Sequence, residues 1–458
     1  MMVLGFSSWA EFYVYATCIL LGISMLMPMN ALTSAPRYMV DYYRYVTGNP
    51  KAEPNLPVFW ANIFTFYNVF SLVTQIICGP TVLTRLARRL SLSNRFIFAL
   101  TSMMLEVLVI VVLPTGKISQ NSAIVAFIIV TIVAGAGKSY LEATCYVLAG
   151  TMPPKFMSAV MFGCGFSGLI ASTLQSIIKA SMVNTYESVL TQAYIYFSLA
   201  LGIMLISLIM ALSLRYNSFA QTYVAEYRML KRSEDEERQN AEVLDGCDLE
   251  EVENRGNHTV DKHDSNAEKD SIGSSEATPA DAEANMTTAE QLLATPVIPV
   301  IKKIYPMQIA CFCSFFLALI IFPSLVIPID RAHEWFATIA VLCYNGGDAT
   351  GRFLTSFKVF WVSRRVTLYA IFARFLFLPL IFLCIYHYIP GHVAPCIFMF
   401  FIGLTNFFGA LTMVYGPGTP ELKTDGERVM AGQLMGIALL GGASFASLVA
   451  IGVVMVLP

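Results

Sequence analysis

Charge is what this sequence has least of. Only 13% of its 458 residues are Asp, Glu, Lys or Arg, against about 25% in ordinary soluble domains. Hydrophobic residues make up 56%, and mean hydropathy is +0.63. A soluble core cannot use that much apolar surface, whereas a helical bundle in lipid exposes it. Histidine is scarce too. The five present (His258, His263, His333, His387, His392) fall in expected loops, so no His–Cys metal set is spaced along a helix and no metal is expected. The ten cysteines form no disulfide framework: nine sit singly in apolar runs and Cys247 stands alone in a polar stretch. All ten are expected to be free packing residues. No Ser-His-Asp set or phosphate loop appears, so no enzyme and no cofactor is expected, and nothing points to nucleic acid. A basic leader is also missing. The chain opens Met1-Met2-Val3-Leu4, with Glu11 before the first long apolar run, so that run is expected to be a retained anchor.

The net charge of -2 conceals a strong asymmetry. Between Ser233 and Glu290 lie 18 of the 31 acidic residues and only four Lys or Arg, leaving 25 basic against 13 acidic elsewhere. Eleven apolar runs of about 20 residues, long enough to cross a bilayer core of about 30 Å, are expected near 10–32, 58–83, 96–114, 121–149, 157–182, 190–215, 299–325, 334–355, 366–387, 394–416 and 428–456. The spacing therefore predicts an all-α polytopic membrane protein of six plus five helices. An N-terminal bundle (1–216) and a C-terminal bundle (297–458) flank a polar segment (217–296). That segment is acidic and poor in aromatics, so it is expected to be disordered, either as a tether between halves or as a partner-binding tail. Basic residues cluster after helix 2 (Arg85, Arg88, Arg89, Arg95), after helix 6 (Arg215, Arg228, Lys231, Arg232) and after helix 8 (Lys358, Arg364, Arg365). The positive-inside rule puts those loops in the cytoplasm, with a cytoplasmic N-terminus and an extracellular C-terminus. The two sequons at Asn257 and Asn285 would then lie on the wrong side for use.

Ionisable residues inside apolar runs are costly unless paired or wetted. Helix 8 reads Tyr344-Asn345-Gly346-Gly347-Asp348-Ala349-Thr350-Gly351-Arg352. Steps of three and four place Asn345, Asp348 and Arg352 on one face, where Asp348 and Arg352 can pair. That stripe is either a ligand site or an ion pair locking two helices. Helix 4 carries Lys138 and Glu142, again four apart. They suit a polar solute, a proton at Glu142, or a charge-compensated helix contact. Glu106 in helix 3 and Arg374 in helix 9 stand alone and are expected to find structural partners across helices. Gly163 and Gly168 in helix 5, and Gly432 and Gly436 in helix 11, are expected to let helices pack closely. Gly163 to Gly168 has the outline of a dinucleotide fingerprint, but no strand precedes it and that reading is rejected. Pro28, Pro80, Pro323 and Pro379 lie in or near helix ends, where they free backbone groups or simply kink the helix.

Taken in order along the chain, these segments resemble the equilibrative nucleoside transporter family. The strongest likeness is Tyr344 to Arg352, matching an aromatic followed by Asn-x-x-Asp-x-x-Gly-Arg. Leu26-Met27-Pro28-Met29-Asn30 is similar to the family's Leu-Leu-Pro-Trp-Asn. Leu148 to Pro153, Gly163 to Gly168, Phe322-Pro323, Arg374 to Leu380, Thr405-Asn406 and Gly416-Pro417 fit further family segments. The variants in helices 1 and 4 look most like the trypanosomatid branch, which takes up purine nucleosides or nucleobases. The resemblance implies a major-facilitator-type arrangement, with substrate bound between two halves and alternating access, in the plasma membrane. It also implies that Asp348 and Arg352 contact the sugar or polar edge of the substrate, that Asn345 supports them, and that Asn30 lies near the cavity. Met29 stands where the family has Trp, which removes a stacking partner. Glu142 replaces a base-reading Gln and Lys138 a small residue. Such a charged pair would favour purines or couple transport to protons through Glu142 or Asp348. The expectation is a facilitative or proton-coupled purine carrier. The rival is a carrier of another polar solute, such as a sugar.

Overall fold

Serine and threonine start most of the long helices. In the computed structural model, Ser8, Ser91, Ser119, Thr185 and Ser363 each accept a backbone N–H from the first turn of the helix that follows. Such caps satisfy amides that the helix itself leaves unpaired. The structure describes residues 6–82, 84, 90–183, 185–233, 288–322, 325, 329–330 and 335–454.

Eleven long helical segments follow: α1 (Trp9–Ser34), α2 (Ile63–Thr81), α3 (Leu92–Val112), α4 (Gln120–Thr151), α5 (Pro154–Ser181), α6 (Tyr186–Ser213), α7 (Val297–Ile321), α8 (Phe336–Leu354), α9 (Arg364–Ile385), α10 (Val393–Tyr415) and α11 (Asp425–Val454). Ten of them are long and apolar enough to cross a membrane. The expected count of eleven spans is not reached on that criterion because α8, with 19 residues and a length of about 28 Å, carries the Asn345–Asp348–Arg352 stripe and four glycines or threonines around it. Two helices are interrupted. A 3-10 turn at Arg374–Leu376 breaks α9, five residues before Pro379, which removes a donor from the ladder. Thr405 breaks α10 into Val393–Leu404 and Asn406–Tyr415.

The first six helices pack together, with α1 against α5 and α6, α4 against α2 and α3, and α3 against α6. The last five pack together through α7–α11, α8–α10 and α7–α10. The halves meet where α5 lies on α8 and where α11 lies on α4 and α2. Glycine decides one of these crossings. A Cβ built on Gly22 or on Gly163 would lie 3.0 Å from the other's Cα, so α1 and α5 touch backbone to backbone there. Gly432 and Gly436 of α11 both press on Tyr146 of α4, which joins the halves.

The segment expected to be an unstructured loop from 217 starts with helix instead. Ser218–Tyr223 and 225–233 are helical, and Ala220, Val224, Glu226 and Tyr227 are buried. Asn217 donates to the Ala10 carbonyl at 3.1 Å, and both Glu226 oxygens accept the Leu92 amide at 2.9 and 3.1 Å. This stretch therefore straps the ends of α1 and α3, because its apolar positions are spaced for a helix face. Burial pushes the Glu226 carboxyl above its usual range, against the opposing pull of the Leu92 amide and Arg95. The far end of that segment also departs from the expectation: Thr288–Ala294 is helical, packs on α11 and buries Gln291 and Leu292. The rest of the expected disorder, 234–287, lies outside the described residues, as do both sequons, Cys247, Pro323, Arg85, Arg88 and Arg89.

Candidate functional site

A cavity of about 1250 Å³ lies between the halves, larger than the ~300–1,000 Å³ of most small-molecule sites. Its mouth is where α1 and α5 end and α2 and α8 begin, lined by exposed Thr33, Val58 and Asn62. Beside the mouth, Lys179 of α5 donates to Thr338 of α8 at 3.0 Å and sits 5.1 Å from the Trp335 ring centroid. The cavity ends at Tyr146, Cys164 and Arg352. Beyond them the halves touch. Ser158 donates to the Thr355 carbonyl at 3.1 Å, and the Tyr15 and Ser356 hydroxyls lie 3.2 Å apart. The cavity is thus open at one end of the bundle and closed at the other.

The C-terminal half contributes a connected polar wall. One Asp348 oxygen accepts both Arg352 Nε at 2.8 Å and Asn406 Nδ2 at 2.6 Å. Asn406 also donates to the Tyr344 hydroxyl at 3.1 Å, and its own oxygen accepts Arg374 at 2.5 Å. Arg374 further bonds Ser314 and the Ile402 carbonyl. Asp348 is 5% exposed and Arg352 7%, so both charges are nearly withdrawn from solvent. Such a pair is tolerable only when further hydrogen bonds support it; Asn406 supplies one to Asp348 and is itself braced by Arg374. The guanidinium of Arg352 lies 5.5 Å from the Phe315 ring centroid, a cation–π distance. Tyr344 stacks on Phe322 with centroids 4.1 Å apart. The α5 glycines explain why this wall can face the N-terminal half closely. A Cβ on Gly165 would sit 2.9 Å from Arg352 Cδ, and one on Gly168 would sit 2.7 Å from Asn345 Oδ1.

The N-terminal half contributes the opposite wall. Lys138 and Glu142 of α4 are 3.9 Å apart, an ion pair too long for a hydrogen bond. Glu142 Oε2 is buried without a hydrogen-bond partner. Glu106, expected to be compensated across helices, lines this wall, and its Oε1 is buried without a hydrogen-bond partner. Lys138 bears electrostatically on both carboxylates. Gln75 of α2 donates to Ser71 at 2.9 Å and leaves its oxygen unpartnered. This wall therefore carries two carboxylates for one ammonium, whereas the facing wall carries two guanidinium groups for one carboxylate.

Asn30, Met29, Lys138, Glu142, Asn345, Asp348 and Arg352 all line the one cavity. Asn30 is held by a 2.8 Å bond to Ser167, just past Pro28, which deprives the helix of one internal donor. Gly163 and Gly432 lie in helix crossings away from it, and Gly168 borders it. Three contributors were missed. Asn406 entered the sequence reading only as part of a motif, Tyr344 only as the aromatic before Asn345, and Gln75 not at all. The signal for Asn406 and Gln75 was a carboxamide inside an apolar run, which is as costly to bury unpaired as a charge is notable. The nine described cysteines are free.

A helical membrane bundle in two halves, closed at one end around a polar cavity, is the architecture of a solute carrier. The chain belongs to the nucleoside transporter family, whose pattern matches residues 126–455. It is 34% identical over 465 residues to "Nucleoside transporter 1" of Crithidia fasciculata, spanning 96% of this chain and 93% of that one. It is 32% identical over 463 residues to "Adenosine transporter 1" of the same organism, spanning 96% and 93%. Among solved structures, a proton:xylose symporter of the major facilitator superfamily shares the fold with a TM-score of 0.63 at 15% identity, covering 95% of this chain and 87% of that one.

Proposed function

We propose that this protein carries purine nucleosides, nucleobases or both across the plasma membrane by alternating access. The observation that carries the reading is the pairing of two unlike polar walls on one cavity: Asp348 and Arg352, braced from behind by Asn406, on one half, and Glu106, Lys138 and Glu142 on the other. A nucleoside is a neutral solute with a hydroxyl-rich end and a flat end bearing ring acceptors and N–H donors. Ribose hydroxyls donate to the free edge of Asp348 and accept from Arg352, while the base edge accepts from Lys138 and donates to Glu142. Asn345, Asn30 and Met29 fill the space between. The names of the family relatives, nucleoside and adenosine transporter, support this substrate class over a sugar.

In the proposed orientation the N-terminus is cytoplasmic and the C-terminus extracellular, so the open mouth faces outward. The 234–287 segment is a cytoplasmic tether. All eleven long helices are counted as spans, α8 crossing inside the bundle where its polar stripe avoids lipid. Glu142, and secondarily Asp348, is the proposed proton carrier, because it sits in the wall that has a carboxylate in excess.

Uptake of labelled adenosine, inosine, hypoxanthine and uridine into cells lacking their own carriers tests this, at two external pH values and with or without a protonophore. Saturable purine uptake that collapses with the protonophore is the outcome for a proton-coupled carrier, and Glu142→Gln should then abolish the pH dependence. Saturable uptake indifferent to both leaves a facilitator. No uptake of any of the four, with protein at the surface, overturns the substrate assignment.

A further inference from the structure

A second void, far smaller than the cavity, lies on its closed side. It is walled by Gly79 of α2 and Val82 just beyond its end, Ser139 and Glu142 of α4, and Gln433 and Gly436 of α11. Its volume is about 10 Å³, close to what a single water needs. Four buried polar atoms belong to its walls and have no hydrogen-bond partner: Ser139 Oγ, Glu142 Oε2, and both Oε1 and Nε2 of Gln433. None of the three residues is more than 4% exposed. Buried polar groups are almost always paired with protein or with ordered water, and a void earns a water when two to four polar partners surround it. A dry apolar hole would leave all four atoms unsatisfied, which is the costliest arrangement open to them.

We propose that this void is a single-water site that latches the two halves together at the closed end. The water accepts a hydrogen bond from the Ser139 hydroxyl and one from the Gln433 amide, and donates to the Glu142 carboxylate. Glu142 and Ser139 belong to the N-terminal half and Gln433 to the C-terminal half, so the bridge exists only while α4 and α11 lie together. Gln433 is a positioning residue. It reaches the carboxylate through the water, while Lys138 lines the main cavity and not the void, so Glu142, which lines both, joins the main cavity to the latch. Glu142 is therefore tied both to whatever fills the cavity and to whether the closed end is shut. The inference rests on the alternating-access reading but not on the substrate.

The test uses the purified full-length protein in detergent, where reagent meets both ends. A cysteine placed at Ser356, in the closing contact with Tyr15, is labelled with a small maleimide, and its rate is corrected for the chain without that cysteine. Gln433→Leu is expected to raise the rate at least about fivefold, a typical coupling between two states. Ser139→Ala, a milder change less prone to misfolding, is expected to raise it in the same direction. The double variant is expected to go no further than Gln433→Leu alone, because both side chains act through one water. Unchanged rates in both single variants overturn the latch, and so do increases that multiply in the double. If the parent and every variant resist labelling, the latch and the moving halves fall together. If the parent labels and only the variants fail to change, alternating access stands without the latch.

Discussion

Asp348 commits one of its two carboxylate oxygens to two neighbours. Its Oδ1 holds both Arg352 and Asn406, and Asn406 in turn holds Arg374, so three side chains from α8, α9 and α10 depend on one carboxylate. Asp348→Asn keeps the shape and removes the charge, leaving Arg352 buried without its counter-ion. Losing one partner of a buried hydrogen-bonded charge pair costs roughly 2–5 kcal/mol, so uptake should fall at least about tenfold at equal surface amount. Arg352→Lys keeps the charge but loses the planar fork that reaches Asp348 through Nε, and the same fall is expected. Parental uptake by both variants, with protein at the surface, would remove this wall from the site. The stripe on α8 was legible because the helical period puts residues three and four apart on one face. Its satisfaction was not. The partners Asn406 and Arg374 come from helices 58 and 26 residues away in the chain, and no local pattern joins them.

At the scale of elements, the sequence was read well where a run is uniformly apolar and less well where a helix is interrupted or short. The breaks at Arg374 and Thr405 fall inside runs that read as continuous, since hydropathy does not register a lost hydrogen bond. The strap over 218–233 falls in the expected loop because polar residues surround it, although Ala220, Val224, Ala225 and Tyr227 give it a buried face. Its anchor is Glu226, whose carboxyl burial holds above the ordinary range. A group raised in the folded state contributes stability that is complete below its unfolded value and fades as pH climbs through the folded one. Docking of the strap should therefore loosen above the usual carboxylate range. Hydrogen exchange of the amides between 218 and 233, corrected for the intrinsic pH effect, is expected to lose protection over that rise. Glu226→Gln should flatten the dependence. A pH-independent protection pattern in the parent protein would dissociate the strap from this carboxylate.

For the whole molecule, the arrangement is asymmetric along one axis: open where Thr33, Val58 and Asn62 stand, shut where Tyr15 meets Ser356 and Ser158 meets Thr355. If the halves rock, the shut end is what must part. Cysteines at Tyr15 and Ser356 joined by a disulfide should arrest uptake by more than about 90%, and reduction should restore it, since a covalent bridge removes one of the two states on which carriage depends. Undiminished uptake in the cross-linked protein would show that solute passes without that end opening.

The polarity of α8 has a consequence for how the protein is made. A helix reaches lipid from the insertion machinery on its own apolarity, and Asp and Arg near a helix centre each oppose that step by roughly 2.5–3.5 kcal/mol. α8 carries both, with Asn345 and Gly346, Gly347 and Gly351 beside them. When α8 emerges from the ribosome, α5 and α7 already exist, but the segments that carry Arg374 and Asn406 have not yet emerged. Its charges are first met by the glycine face of α5, at Gly165 and Gly168, and are completed only after α9 and α10 arrive. Assembly of this half is thus obliged to wait for its own later residues, and a lesion at Asn406 would be felt first in biogenesis, as retained and degraded chains, before any defect in carriage could be measured.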